Sequence, residues 1–459
     1  MRLATAQGRW LLAATVLASG IVFLDGSIVS LALPDVDRDL GAGVAGLQWT
    51  VNGYTLALAA LVLVGGSLGD RLGRRRVFVV GTIWFGVASV LCALAPTIEV
   101  LVAARVLQGV GGALLTPGSL AIISASVHPD DRGRAIGIWS GLSGVTTAAG
   151  PLVGGWLVEQ AGWRTVFWVN LPLVVAVVWI ALRHVPESHG GREPIDVRGA
   201  LITVLALTAL TYGLVEEAWL PSLAGLALLV LFVVHQLRAP HPLVPMGLFA
   251  DRVFTAANLC TFGIYAALSG SMFLLVLQLQ YVAGYTALEA GLATLPGTIL
   301  MLLFSGRAGA WGQRVGPRVP MTLGPWIAAG GLVLYLRIDE DSSFWLDVMP
   351  GAVVFGVGLT MLVAPLTTAV LAAAPDGQNG IASGVNNAVA RTAGLLAVAA
   401  IPPLAGIGGA AFSSPEVFDP GFRAGTWMCV GLLAVAGLLA AALVHGPSAD
   451  PARAPDPAA

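Results

Sequence analysis

Long apolar runs separated by short polar loops recur along all 459 residues of the chain. A helix needs about 20 apolar residues to cross a bilayer core. The pattern predicts fourteen such helices, over 10–33, 48–69, 77–95, 98–126, 132–158, 163–182, 198–215, 220–237, 254–281, 288–310, 320–337, 345–373, 381–404 and 425–444. No polar stretch between them is long enough for a soluble domain. The longest, RHVPESHGGREPIDVR at 183–198, reads as a loop between the sixth and seventh spans. Arg2 and Arg9 precede an apolar run of about 24 residues with no clean small-residue cleavage site, which marks a retained first span rather than a signal peptide. The predicted class is an all-α polytopic membrane protein.

Composition agrees. The chain is 57% hydrophobic and only 10% charged, against about 25% charged in soluble domains. A net charge of −2 gives no reason to expect a nucleic-acid partner. All 23 basic residues are Arg, and a chain without Lys cannot build the phosphate loop of an ATP-driven pump. Cys92, Cys260 and Cys429 fall in separate apolar runs and read as small buried hydrophobes. The histidines (128, 184, 189, 235, 241 and 445) lie in loops or at span ends, so no metal site is expected. With the N-terminus in the cytosol, seventeen arginines fall on the inner side and four on the outer, with Arg105 and Arg391 inside spans. That bias places both termini in the cytosol.

The chain also repeats itself. GSLGDRLGRRR (66–76) returns as GAWGQRVGPRV (309–319), 243 positions on, with Gln313 in place of Asp70. Both copies lie between the second and third spans of a six-span set. The expected organisation is a six-helix bundle at 1–182, an inserted two-helix linker at 183–253, a second bundle at 254–446 and a disordered cytosolic tail at 447–459. Paired halves around a midplane site are the architecture of alternating-access transporters.

Asp25 interrupts the run IVFLDGSIVSLALP. An intramembrane carboxylate costs about 2.5–3.5 kcal/mol on insertion scales and usually marks a proton or ion pathway. Arg105 in the fourth span lies at a similar depth below the outer face, about 10 Å against about 12 Å for Asp25. The two are expected to pair, either as a coupling device or as a purely structural ion pair. Arg391 is about 15 Å into the thirteenth span, beside Asn386 and Asn387. It would meet substrate or bond helix carbonyls. Candidate cavity residues are Asn52, Tyr54, Gln108, Trp139, Thr147, Tyr265, Phe273, Gln278, Tyr281, Asn387 and Arg391, because transport cavities are mostly apolar with a few polar groups. Trp49 is near enough to a span end for an interfacial belt. Glu216, Glu217 and Glu289 read as interfacial. Glycines four apart (Gly65, Gly69, Gly73; Gly150, Gly154) allow close helix packing, and Gly150-Pro151 can bend the fifth span. Asp70, at a helix C-terminus, needs a compensating partner.

Several segments carry a resemblance: LDGSIVSLALP (24–34), QWTVNGYTLALAALVLVGGSLGDRLGRRR (48–76), RVLQGVGGALLTP (105–117) and GPLVGGWL (150–157), with WRTVFWVNLP (163–172) and IASGVNNAVARTAG (381–394) in support. The chain resembles the major facilitator superfamily, and within it the fourteen-span drug/proton antiporters. Thr146 departs from that pattern, where a small Gly is expected. The resemblance implies proton coupling at Asp25 and Arg105, an inner-gate motif at Gly66, Asp70, Arg71, Gly73, Arg74 and Arg75, and an antiporter motif at Gly150, Pro151, Gly154 and Gly155. It implies proton-driven efflux of lipophilic or cationic drugs from a bacterial cytoplasmic membrane, with protons the coupling ion, no cofactor, small-molecule substrates and a monomer in lipid. A dedicated exporter of one natural product is the alternative. An intramembrane enzyme would need nucleophile, base or metal ligands clustered at one depth, and the sequence offers none.

Overall fold

The computed structural model describes residues 1–191, 194–375, 378–408 and 415–444; the expected tail at 447–459 lies outside them. The helices are α1 (Ala6–Leu40), α2 (Gly43–Leu72), α3 (Arg74–Ala93), α4 (Ile98–Ser126), α5 (Pro129–Ala161), α6 (Thr165–Trp168), α7 (Asn170–His184), α8 (Val197–Val215), α9 (Trp219–Arg238), α10 (Arg252–Leu277), α11 (Ala287–Val315), α12 (Arg318–Tyr335), α13 (Met349–Ala372), α14 (Asn379–Leu404) and α15 (Pro415–Leu443). No strand occurs among the described residues.

Among the described residues, twelve helical segments are long and apolar enough to cross a membrane, with α6 and α7 counted as one. The apolar pattern predicts fourteen. The two long helices outside that set are α5 and α12. The interior of α5, 135–158, holds no charged residue but is rich in Gly, Ser and Thr, while α12 has only 18 residues, opens on Arg318 and carries Pro320 and Pro325. The expected sixth span is broken after Trp168.

Helices α1–α7 pack as one group and α10–α15 as another, with α8 and α9 paired beside them. Both groups use the same glycine contacts. A Cβ on Gly111 of α4 would stand 2.7 Å from the Phe85 nitrogen of α3, and one on Gly358 of α13 would stand 2.4 Å from the Ala328 nitrogen of α12. Gly109 meets the Tyr54 carbonyl at 2.3 Å as Gly356 meets Gly297 at 2.3 Å. Removing the side chain lets backbones touch where lipid offers no hydrophobic drive for association. The internal repeat is thus a repeat of packing as well as of loop sequence.

Met1 donates to the Ser126 carbonyl at one face of the bundle, here the near face. At the opposite, far face the two groups are sealed together. Gln48 Nε2 donates to the carbonyls of Val398 (2.8 Å) and Ala399 (3.2 Å), Gln280 Nε2 to Leu31 (3.2 Å), and the Tyr281 hydroxyl to Asp37 Oδ2 (3.0 Å). A Cβ on Gly155 would be 2.6 Å from the Ala287 carbonyl, and one on Gly291 would be 2.3 Å from that of Pro151. Toward the near face the groups part. Cβ positions on Gly137 and Gly141 of α5 and Gly306 of α11 meet nothing within 4 Å.

The inserted pair is pinned at its near end by Asp196, which accepts from Gly199 N, His235 Nε2 and Gln236 Nε2, each at 2.8 Å. Small residues close the pair, with Gly225 against Leu210 and Gly213 against Ser222.

Substitutions at glycine should separate by contact. Gly65→Val drives a side chain into the Ala113 carbonyl, 2.1 Å from the Cβ position. It should lower stability by about 1–3 kcal/mol, as overpacking does. Gly26→Ala, with nothing within 4 Å, should leave the melting temperature of purified protein unchanged. Equal melting of the two variants would contradict this packing scheme.

Candidate functional site

Asp25 and Arg105 meet inside the first helix group, each only 1% exposed. Arg105 Nη1 donates to Asp25 Oδ2 at 2.5 Å and to Gln108 Oε1 at 2.5 Å, while its Nε donates to the Thr50 carbonyl at 3.0 Å. Asp25 Oδ1 accepts from Gln108 Nε2 (2.8 Å) and Asn170 Nδ2 (3.1 Å). Ser89 Oγ accepts from Gln108 at 2.9 Å. The guanidinium lies over the Tyr54 ring, 4.4 Å from its centroid, with Phe167 at 5.8 Å. Side chains of α1, α3, α4 and α7, and a carbonyl of α2, therefore meet around one ion pair. Such a pair survives burial only when its remaining donors and acceptors are satisfied. Sequence reasoning reached Asp25, Arg105 and Gln108. It missed Ser89 and Asn170; the only signal was the family-like phrase that contains Asn170.

The 66–76 segment, the expected inner-gate motif, is held within the first helix group and by the 187–190 loop. Arg74 supplies the partner Asp70 needs, with Nε and Nη2 at 2.8 and 2.7 Å from Oδ1. Gly190 N donates to the Asp70 carbonyl, and Arg74 N donates to that of Ser188, both at 2.9 Å. Glu187, also missed from sequence, accepts from the backbone N–H groups of Arg75 (2.9 Å) and Arg76 (3.2 Å) at the start of α3. A carboxylate there is favoured by the helix dipole. Gly73, at φ 108°, must be glycine twice over, since its Cβ would also lie 2.8 Å from the Glu187 carboxyl. No hydrogen bond or ion pair recorded for Asp70, Arg74 or Arg75 reaches α10–α15. Gly66 faces Pro117, and Arg71 is exposed.

The antiporter segment locks α5 to two neighbours. Gly150 and Gly154 face Ser27 and Ile28 of α1; Pro151 and Gly155 face Gly291 and the start of α11.

The expected cavity residues disperse. Phe23, Gly26 and Ser30 share one face of α1 and stay half-buried or exposed between buried neighbours. Across from them Arg391 of α14 is half-buried, its Cζ 5.8 Å from the Phe23 ring centroid, with Asn387 exposed one turn away. These residues mark a cleft between the groups. Tyr265 is half-buried on α10, which packs against α14. Trp139 donates to Ser19 Oγ at 3.0 Å. The others lie elsewhere. Gln278 is buried, donating to the Ile338 carbonyl and Asp419. Phe273 is core, and Tyr281 belongs to the far-face seal. Asn52 is fully buried with neither amide atom partnered, on the α2 stripe of Trp49 and Leu56. Thr147's side chain lies outside the described residues. Trp49 donates to Glu216 at 3.0 Å, and Glu289 forms a capping box with Thr286.

Two helix groups closed at one face, parted at the other and flanking a cleft define a polytopic membrane transporter. The family model described as Major Facilitator Superfamily matches residues 15–399. The chain belongs to the major facilitator superfamily. It is 35% identical over 392 residues to the "Multidrug resistance protein Stp" of Mycobacterium tuberculosis, covering 82% of this chain and 72% of that protein. It is 33% identical to the "Tetracenomycin C resistance and export protein" of Streptomyces glaucescens, covering 83% and 73%. It is 32% identical to a puromycin resistance protein of Streptomyces alboniger, covering 95% and 91%. A D-xylose-proton symporter has the same fold, with a TM-score of 0.67 at 14% identity, covering 96% of this chain and 99% of that one.

Removing one member of a buried ion pair costs about 3–5 kcal/mol, because the other charge is left uncompensated. Asp25→Asn and Arg105→Met should each destabilise by that order. The double variant should cost clearly less than the two combined. Melting of purified protein reads this cycle, and additivity within about 0.5 kcal/mol would refute mutual compensation.

Proposed function

We propose that the protein exports lipophilic small molecules in exchange for protons, as a member of the drug/proton antiporter group with fourteen crossings. On this reading α5 and α12 also cross, the near face is cytosolic and the structure is an inward-facing state. The observation that carries the proposal is the Asp25 carboxylate, sealed from water and bonded into α1, α4 and α7. A proton turns one acceptor oxygen into an O–H donor. That donor cannot face Arg105 Nη1 or the amides of Gln108 and Asn170, so protonation must rearrange the junction. The helices around it then repack, the far-face contacts release and the near face closes. The names of the relatives, resistance and export proteins, support a drug as cargo. A charge crossing 100 mV contributes about 2.3 kcal/mol, enough for one or two protons to sustain a concentration gradient. A dedicated exporter of one natural product is the same machine with a narrower cleft, and a ligand thermal-shift panel separates the two.

The test is purified protein in vesicles with an imposed pH gradient. Wild type should move a lipophilic dye against its gradient and acidify or alkalinise the lumen in step. Asp25→Asn, checked for folding, should still bind dye but lose at least about 90% of the gradient-driven movement, as loss of an essential proton carrier requires. Full proton-driven transport by that variant would reject the role of Asp25.

A further inference from the structure

We infer that Arg391 is the anion-recognising group of the cleft, and that the favoured cargo is an aromatic compound carrying a negative charge. The inference rests on the export reading and reverses the sign of charge expected from sequence. Its basis is an imbalance of buried charge. Away from helix ends, the spanning segments carry Asp25, Arg105 and Arg391, with Arg307 exposed beside Phe304 nearer the end of α11. Asp25 and Arg105 neutralise one another out of solvent. Arg391 has no hydrogen bond or ion pair among the described residues; its one recorded contact is the Phe23 ring. A bond to helix carbonyls, the alternative open from sequence, is not made.

Among the described residues, no carboxylate stands free for a cation in the same space. Asp25 lies behind Arg105, Gln108 and Asn170. Asp70 is taken by Arg74, and Glu187 by the start of α3. Asp37 belongs to the far-face seal. A guanidinium part-way out of water with no counterion is costly, and its planar fork matches a carboxylate or phenolate oxygen pair. The walls beside it supply the rest of the specificity. Phe23 flanks the guanidinium, and half-buried Tyr265 stands on the neighbouring α10. Aromatic faces of this kind favour a flat aromatic body. A monovalent anion leaving as a proton enters carries two charges per cycle, whereas a monovalent cation exchanged for a proton carries none.

Three matched probes test this: anthracene carboxylate, anthracene methanol and anthracene trimethylammonium. Purified wild-type protein should bind the carboxylate about 10–100-fold more tightly than the ammonium compound, the range of one charge-assisted hydrogen-bonded contact. Arg391→Gln should lose that preference while binding the alcohol as wild type does. Arg391→Lys should keep part of it, and Arg391→Glu should favour the ammonium. In vesicles, carboxylate export should accelerate under an inside-negative potential. Failure of wild type to bind the carboxylate, a preference for the ammonium, or an unchanged preference in a folded Arg391→Gln overturns the assignment. Selective binding without movement of any probe would instead reject the export reading and leave Arg391 as an anion site.

Discussion

The buried pair of Asp25 and Arg105 is the constraint around which the first helix group is organised. Neither charge is tolerable alone in the apolar interior, and their mutual attraction repays desolvation only when every remaining valence is filled. Filling them recruits Gln108 and Asn170, the Thr50 carbonyl, Ser89 behind Gln108 and the Tyr54 ring face. Polar contacts from α1, α2, α3, α4 and α7 therefore depend on the protonation state of one carboxyl group. A group so placed communicates with the whole bundle without any long-range pathway, because the elements to be moved already touch it.

Movement of this kind needs surfaces that separate and re-form. The far-face seal is made chiefly of backbone contacts at Gly155 and Gly291 and of single hydrogen bonds from Gln48, Gln280 and Tyr281. Beside them, buried apolar residues of both groups, among them Leu31, Leu33 and Val158 with Leu279, Val282 and Ala290, form one continuous cluster. The glycine crossings inside each group, Gly109 and Gly111 or Gly356 and Gly358, bring backbone against backbone and are repeated in both halves. A rocking mechanism requires the backbone, apolar and hydrogen-bonded contacts at the far face to part together.

The sequence disclosed depth better than direction. Apolar run lengths report where a helix crosses, so most helices and the matching levels of Asp25 and Arg105 were legible. Which neighbour a side chain meets depends on the lateral order of helices, which run length does not encode. Gln278 and Tyr281 therefore stand among far-end contacts rather than in the cleft, and Asn170 and Glu187 went unnoticed. The repeat at 66–76 and 309–319 was legible, but the grip of the 185–190 loop on its first copy was not, because Glu187 is remote in sequence from the helix it caps. The weakest of the fourteen apolar runs are those of α5, whose interior is rich in Gly, Ser and Thr, and α12, which opens on Arg318 and carries two prolines.

The inserted pair leaves the two sides of the molecule unlike one another. Helix α8 packs on both α2 and α14, so it stands as a screen across the line where those two helices meet. Among the described residues, no inserted helix packs on both α5 and α11. The two lines where the helix groups meet are therefore unequal, one buttressed by a third helix and the other formed by α5 and α11 alone.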